Sequence, residues 1–473
     1  MNPGEAILPR PLLVRPVTCD LFLSQARTRV PFRFGATTME TGTICTARVE
    51  IESERGRSIG FSADLLVPGW FRKDSGRTPE RDVSELVASA NSAGRVLLER
   101  SAEDTVFGHW RRMWRERVEP LGEDSPEALE RGFGVALVER GLIDATCRAA
   151  QVSFFDALER GLLGFEAGQL ESAQRGRNPR AVGRPKMIAV RHTIGMLDAL
   201  DARDAHGPDD GLPRSLDEEI ARYGLTHFKI KLRGDVAADR ARLLAIARSL
   251  RNRVAEPVVT LDGNEQFESL EDLAHLLHSL QHDRDGSWLA EHIAYVEQPL
   301  PRALTFDRAA NREIEHVRTM TSLIIDEADA TLRSFERAFE LGYRGVSVKN
   351  CKGVFRALLN KINCDSWGDG AFQSGEDLTN LGVLALQQDL ATMAALGLEH
   401  VERNGHHYFR GLAHLPKEEV AEALERHADL YEPLGDGATL RIRDGQIALG
   451  SLDRVGYAYD VGIRTEQRER VRP

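Results

Sequence analysis

The stretch HFKIKLRGD, residues 227 to 235, decides the fold. Phe228, Ile230 and Leu232 alternate with Lys229 and Lys231. Successive side chains of a strand point to opposite faces, so three apolar residues share one face and two lysines the other. An edge strand with solvated lysines is the plain reading. In a sheet covered on both sides, the second face instead has to hold two adjacent ammonium groups away from bulk water.

The sequence around this stretch repeats a rhythm. Strand candidates are KMIAVRHTIG (186–195), THFKIKL (226–232), PVVTLDGNE (257–265), IAYVEQPL (293–300), SLIIDEADA (322–330) and GVSVKN (345–350). GAFQSGED (370–377) and LGLEHVER (396–403) are weaker ones. Helical stripes separate them. One carries Leu243, Ile246 and Leu250, and another opens at Ser269 with Asp272 three residues on, close to a capping box. Strands alternating with helices predict βα units on a parallel sheet. Eight candidates over roughly 215 residues match a (β/α)₈ barrel.

Flanking this region, RVPFRFGATT (29–38) and ICTARVEIES (44–53) read as strands, and GFGVALVERGLIDATCRAA (132–150) as a helix. GRNPRAVGRP (176–185) reads as a boundary. TLRIRDGQIALG (439–450) is strand-like and expected to pack back on the N-terminal domain. The expected organisation is an N-terminal capping domain over 1–180, a barrel over 186–403 and a C-terminal segment over 404–473 that completes the cap.

Composition narrows the function. The 473 residues are 42% hydrophobic and 29% charged, with net charge −11. That acidity argues against nucleic acid or an anionic membrane as partner. No apolar run approaches the roughly 20 residues of a membrane span. The N-terminus, MNPGEAILPRPLLVRPV, lacks an apolar signal core. Five scattered cysteines without a CxxC pair read as reduced cytoplasmic thiols.

The chemistry sits at the strand ends. Lys231, Asp262, Glu297, Asp326 and Lys349 each end a strand candidate, 23 to 35 residues apart. In a parallel barrel all five lie at the C-terminal rim, where barrel enzymes act. Asp262, Glu297 and Asp326 offer three hard oxygen ligands without Cys or His, so Mg²⁺ suits them best and Mn²⁺ is the alternative. A metal there can take a substrate carboxylate and stabilise the enolate formed when the neighbouring carbon loses a proton. Lys231 and Lys349 flank the ligands as acid and base candidates. Lys229 is expected to depress the Lys231 pKa by like charge, or to bind the substrate carboxylate. Asn264 and Glu327 are expected to orient ligands, and Glu376 or Asp377 to shape the pocket. Lys352 reads as a solvated loop residue. His400, His406 and His407 invite a metal reading but fit better as loop residues facing substrate or solvent.

KIK at the second strand, Asp262, Glu297 and Asp326 at the third to fifth, and Lys349 at the sixth resemble the enolase superfamily, in particular its muconate-lactonizing-enzyme-like subgroup. ALVERGLIDATCRAA, YVEQPL and IIDEA are similar to motifs of that group. The resemblance implies a capping domain built from both termini, and loops near Phe32–Thr38 and Val67–Trp70 covering the site. It also implies a Mg²⁺-dependent enzyme acting on a small carboxylate, with racemisation or epimerisation leading, and dehydration or cycloisomerisation as alternatives. A non-catalytic carboxylate-binding scaffold is the alternative of another class. A homo-oligomer is compatible with all of these. Four departures leave the substrate open. The third-to-fourth gap is lengthened around HDRDGSWLA (282–290), NCKGVFRA (350–357) follows Lys349 where relatives often have paired glycines, LEHVERNGHH (398–407) stands where the subgroup's dipeptide epimerases usually carry an Asp-x-Asp, and a mandelate-racemase-type His/Asp dyad is missing, since residues 345 to 380 contain no His.

Overall fold

The computed structural model describes residues 10–34, 37–74, 76–99, 102–177 and 183–472. The N-terminal region opens with a long antiparallel meander: β1 (Val14–Phe34), β2 (Thr37–Ser53) and β3 (Gly56–Leu66). The expected loop at Phe32–Thr38 is the end of the β1–β2 hairpin, where Phe34 pairs with Thr37; residues 35 and 36 lie outside the described residues. Strand β3 escapes the sequence reading because two glycines and two serines interrupt its apolar pattern.

Three helices cover this sheet: α1 (Pro79–Glu99), α2 (Val106–Arg117) and α3 (Ala128–Ala150). Helix α3 is the predicted apolar helix, and it is buried on every side. It lies so close to β3 that a Cβ on Gly60 would stand 2.1 Å from the Ala145 nitrogen. A helix buried all round must pair its polar side chains. Glu139 accepts from the Val354 and Phe355 nitrogens at 3.1 and 2.8 Å and so caps the barrel helix Val354–Trp367. Arg140 pairs with Asp64 on β3. Asp144 accepts from Phe61 N at 3.0 Å, Tyr457 N at 3.1 Å and Tyr459 Oη at 3.0 Å.

The predicted barrel is present. Its strands are β4 (Met187–Ile194), β5 (His227–Lys231), β6 (Val258–Asp262), β7 (Ile293–Glu297), β8 (Ser322–Ile325), β9 (Gly345–Val348), β10 (Phe372–Gly375) and β11 (His400–Arg403). They are parallel in sequence order, and β11 pairs with β4 to close the ring. Register aligns Lys231 with Asp262 and Asp262 with Glu297. The lengthened third-to-fourth connection folds into an extra helix, Arg284–Glu291, capped by Asp283. Ser269 caps the helix Leu270–Leu280 as expected.

The C-terminal tail departs from expectation. A hairpin of β12 (Tyr431–Leu434) and β13 (Gly437–Leu440) is followed by β14 (Gln446–Ala448). Strand β14 pairs with barrel strand β4, not with the N-terminal sheet. The return to that sheet is made later, by β15 (Glu469–Arg470) on β1. Among the described residues no helix is long and apolar enough to cross a membrane.

Asp144 joins α3, β3 and the returning tail through a fully buried carboxylate. Asp144→Ala should therefore lower unfolding stability by about 3–5 kcal/mol, the scale of breaking a buried charge network. Urea unfolding would show it as a lower midpoint; an unchanged midpoint would mean the tail docks without this anchor.

Candidate active site

The five rim residues of the sequence reading converge. Alternation along β5 turns Lys229 and Lys231 into the barrel, while Phe228 and Ile230 face the surrounding helices. Lys229 is fully buried. Its Nζ lies 3.0 Å from Asp262 Oδ2, 2.6 Å from Glu297 Oε2, 2.8 Å from Glu376 Oε2 and 3.0 Å from Glu402 Oε2. One ammonium thus gathers carboxylates from four other strand ends.

Lys229 is held as an ammonium by these contacts. Burial pulls its pKa down, but Asp262, Glu297, Glu376 and Glu402 outweigh burial and hold it well above the ordinary value. Its charge is met by four fixed carboxylates. Glu376 sits behind it, fully buried, accepting from Tyr295 Oη at 3.1 Å and Ser374 Oγ at 2.6 Å and paired with Arg191.

The other two lysines reach further out. Lys231 is 8% exposed and Lys349 5%, against 0% for Lys229. Lys231 Nζ donates to Asp262 Oδ2 at 2.6 Å, and Lys349 Nζ to Asp326 Oδ2 at 2.6 Å. They stand on the second and sixth of eight strands, which places them on opposite walls. Burial lowers the Lys349 pKa, yet Asp326 and Glu297 raise it further, so it remains an ammonium here. Trp70 covers Lys349, its ring centroid 4.5 Å from Nζ.

Asp326 is held from two sides. Besides Lys349, it meets Lys352, whose Nζ is 3.0 Å from Oδ1 and donates to the Asp326 carbonyl at 2.7 Å. Lys352 is therefore a buried partner of Asp326 and not a solvated loop residue; the short helical turn Asn350–Lys352 folds it back. Despite burial, Lys349, Lys352 and Lys229 keep the Asp326 pKa well below the ordinary value. Gln298 fixes the backbone beside it: its Oε1 accepts from Asp326 N at 2.9 Å and Ala328 N at 3.1 Å.

Glu297 is different. Burial, Asp262 and Glu376 raise its pKa well above the ordinary value, and a share of Lys229 does not offset them. Its Oε1 has no hydrogen-bond partner, and Oε2 meets Lys229 outside hydrogen-bond geometry. Asn264 Oδ1 and Glu327 Oε2 are also buried without partners. Asn264 N donates to Asp262 Oδ1 at 2.8 Å, and its Nδ2 contacts Glu327 Oε1 at 3.4 Å.

Backbone strain accompanies these ends. Asn264, Glu265 and Gln298 have φ of +43°, +68° and +36°, a region that only strong surrounding contacts sustain in non-glycine residues. The contacts come from the barrel loop after β7 and from Lys73 of the N-terminal region. Arg302 donates to the Trp70 and Phe71 carbonyls, both at 2.7 Å, and pairs with Glu265 at 2.8 Å. Lys73 reaches Asn264 O at 2.9 Å and Glu265 Oε2 at 2.5 Å. The covering segment expected at Val67–Trp70 is thereby pinned to the rim.

The donor set is oxygen only, and Glu297 carries unsatisfied buried oxygens, so a hard divalent cation fits. The oxygens of Asp262, Glu297 and Asp326 do not all lie within 4.8 Å of one another; each turns toward a lysine. Among the described residues, one group meets that spacing: His192, Glu219 and His406. His406 and His407 are buried outside the barrel wall, correcting their reading as loop residues facing substrate or solvent. His400 is half-buried in β11, its Nδ1 2.6 Å from Arg191.

No protein-family model and no curated protein matches the chain. Solved structures match it over nearly their whole length. A muconate lactonizing enzyme from Pseudomonas fluorescens, complexed with muconolactone, is 15% identical with TM-score 0.62, covering 96% of this chain and 99% of its own. An N-succinyl Arg/Lys racemase from Bacillus cereus is 15% identical with TM-score 0.62, covering 97% and 100%. A dipeptide epimerase from Enterococcus faecalis, complexed with Mg and L-Leu-L-Tyr, is 16% identical with TM-score 0.60, covering 94% and 99%. The chain has the capped-barrel fold of muconate-lactonizing-enzyme-like enolases.

Removing Lys229 should expose what it holds together. Lys229→Met leaves four buried carboxylates without their shared cation, at a cost of about 3–5 kcal/mol. Those carboxylates then bind protons more tightly folded than unfolded, so the variant's stability should fall as pH rises from about 5 to 8. Urea midpoints across that range test this; a variant with the wild-type pH trend would contradict it.

Proposed function

We propose that this protein is an enzyme that removes the α-proton of a small carboxylate substrate, and that the reaction is racemisation or epimerisation. The observation that carries the reading is the placement of Lys231 and Lys349. They stand on opposite walls of the rim, are its partly exposed lysines, and flank the Asp262, Glu297 and Asp326 carboxylates. A substrate between them presents one face of its α-carbon to each.

Asp262, Glu297 and Asp326 are the residues that would hold Mg²⁺, with Asn264 and Glu327 orienting them. When bound, the cation supplies Lewis-acid stabilisation of the enolate charge and competes with the lysines for these oxygens. Lys231 and Lys349 move the proton. One takes it from the α-carbon while the other, already an ammonium, returns a proton to the opposite face. Lys229 keeps Glu376, Glu402 and the ligand carboxylates in place. Trp70, pinned by Arg302, excludes water above Lys349.

One observation favours dehydration as the second reading. Asp326 and Glu297 hold Lys349 as an acid, which suits protonation of a departing hydroxyl.

In a racemase, Lys349→Ala should lose α-proton exchange by about 10²–10⁴-fold from one enantiomer and keep it from the other, with Lys231→Ala the reverse. In a dehydratase, a single lysine should be needed for exchange. Deuterium wash-in followed by ¹H NMR separates the two; wild-type exchange in both variants would make the lysines structural.

Glu297→Gln should abolish Mg²⁺ binding and activity while leaving the fold intact, because Lys229 keeps three carboxylate partners. Titration calorimetry with Mg²⁺ and circular dichroism check this. Full activity in the variant, or in chelator-treated wild type, would remove the metal assignment.

A further inference from the structure

A second cluster of ligand-type side chains lies outside the barrel. Arg191 and Thr193 of β4 point inward, to Glu376 and Glu402. His192 between them therefore points outward. There it meets Glu219, from the helix Leu216–Tyr223, and His406, from the short helix Gly405–Tyr408 after β11. His192 Nδ1 lies 3.1 Å from His406 Nε2, and His406 Nε2 lies 3.5 Å from Glu219 Oε2. His192 is 2% exposed, Glu219 0% and His406 4%.

Protein hydrogen bonds do not satisfy this group. Two imidazole nitrogens and one carboxylate oxygen converge as lone-pair donors. A proton on His406 Nε2 serves either His192 or Glu219 and leaves the other without a donor. Glu219 Oε2 has His406 Nε2 at 3.5 Å, a long contact outside good hydrogen-bond geometry. A buried carboxylate oxygen left so is costly. A cation at the centre satisfies all three at once. Ligand atoms about 2.0–2.1 Å from a tetrahedral zinc stand about 3.3–3.4 Å apart, and the observed 3.1 and 3.5 Å bracket that edge. Glu219 is further oriented by His407, whose Nδ1 lies 2.8 Å from Oε1. That outer support is usual for a metal-binding side chain.

We propose that His192, Glu219 and His406 supply three protein ligands of a transition-metal site, with zinc as the fitting ion and a small oxygen ligand in the fourth position. Its two-nitrogen, one-oxygen donor set differs from the all-oxygen set at the rim. Its position gives it a purpose. Strands β4 and β11 are the first and last of the barrel, and their pairing closes the ring. A metal bridging His192 and His406 clasps that seam. Arg29 of β1 adds the cap to the same clasp, donating to the His407 carbonyl at 3.0 Å and pairing with Asp210 at 2.8 Å. The inference does not depend on the proposed reaction.

The test is metal content of the full chain, produced with zinc and desalted, measured by elemental analysis. One zinc per chain is expected, retained in Asp262→Asn and lost in Glu219→Gln and His192→Ala. His407→Ala should weaken zinc binding about 10–100-fold. Cobalt-loaded wild type should show the visible bands of tetrahedral coordination, and stripping the metal should lower Tm. Substoichiometric zinc in wild type, loss of zinc in Asp262→Asn, or full zinc in Glu219→Gln would overturn the proposal. The wild-type measurement decides even if a variant fails to fold.

Discussion

Everything at the rim depends on one buried ammonium. Lys229 has no access to water and lies within 3.0 Å of carboxylates from β6, β7 and the ends of β10 and β11. Without it those groups would repel at close range in a medium of low dielectric. With it, five strand ends are drawn to a common point, and two of its partners are candidate ligands. The desolvation of such a network is large, and it is worth keeping only where several charges are satisfied together. Glu297 is the member left short, with a raised pKa and unpartnered oxygens. The network is thus complete except at the position where a divalent cation has something to add.

The cap makes this network tenable. Trp70 lies over Lys349, and Arg302 holds the Trp70 and Phe71 carbonyls to the barrel loop after β7. Helix α3 reaches across with Glu139 to cap the helix that follows β9, the strand leading to Lys349. Cap and barrel are therefore coupled through charged and backbone groups beside the site. Excluding water there strengthens each ion pair around Lys231 and Lys349.

Much of this was legible in the sequence because a barrel strand advertises itself twice. Alternation marks the strand, and a polar residue at its C-terminal end marks the rim. Lys231, Asp262, Glu297, Asp326 and Lys349 were found that way. What the chain alone does not show is anything set by contacts across the barrel. Along the chain only its neighbour Lys231 is visible beside Lys229; its four carboxylates lie 33 to 173 residues away. Glu402 lies one residue before the end of its strand, in LEHVER, and that strand is short with a weak signal. Lys352 looked solvated because nothing local shows the turn that folds it onto Asp326. His192 and Glu219 sit on ordinary strand and helix positions, and only closure of the ring brings them to His406.

The proposed role of the rim is to remove a proton from the carbon next to a carboxylate. The most direct measurement is deuterium uptake from D₂O into a broad set of carboxylic acids, read by mass spectrometry with Mg²⁺ and with chelator. At least one acid should gain deuterium at its α-carbon, and only with the metal present. An acid that binds the protein tightly at this site yet exchanges no α-proton under any metal condition would contradict it, and would point to a scaffold that binds carboxylates without acting on them.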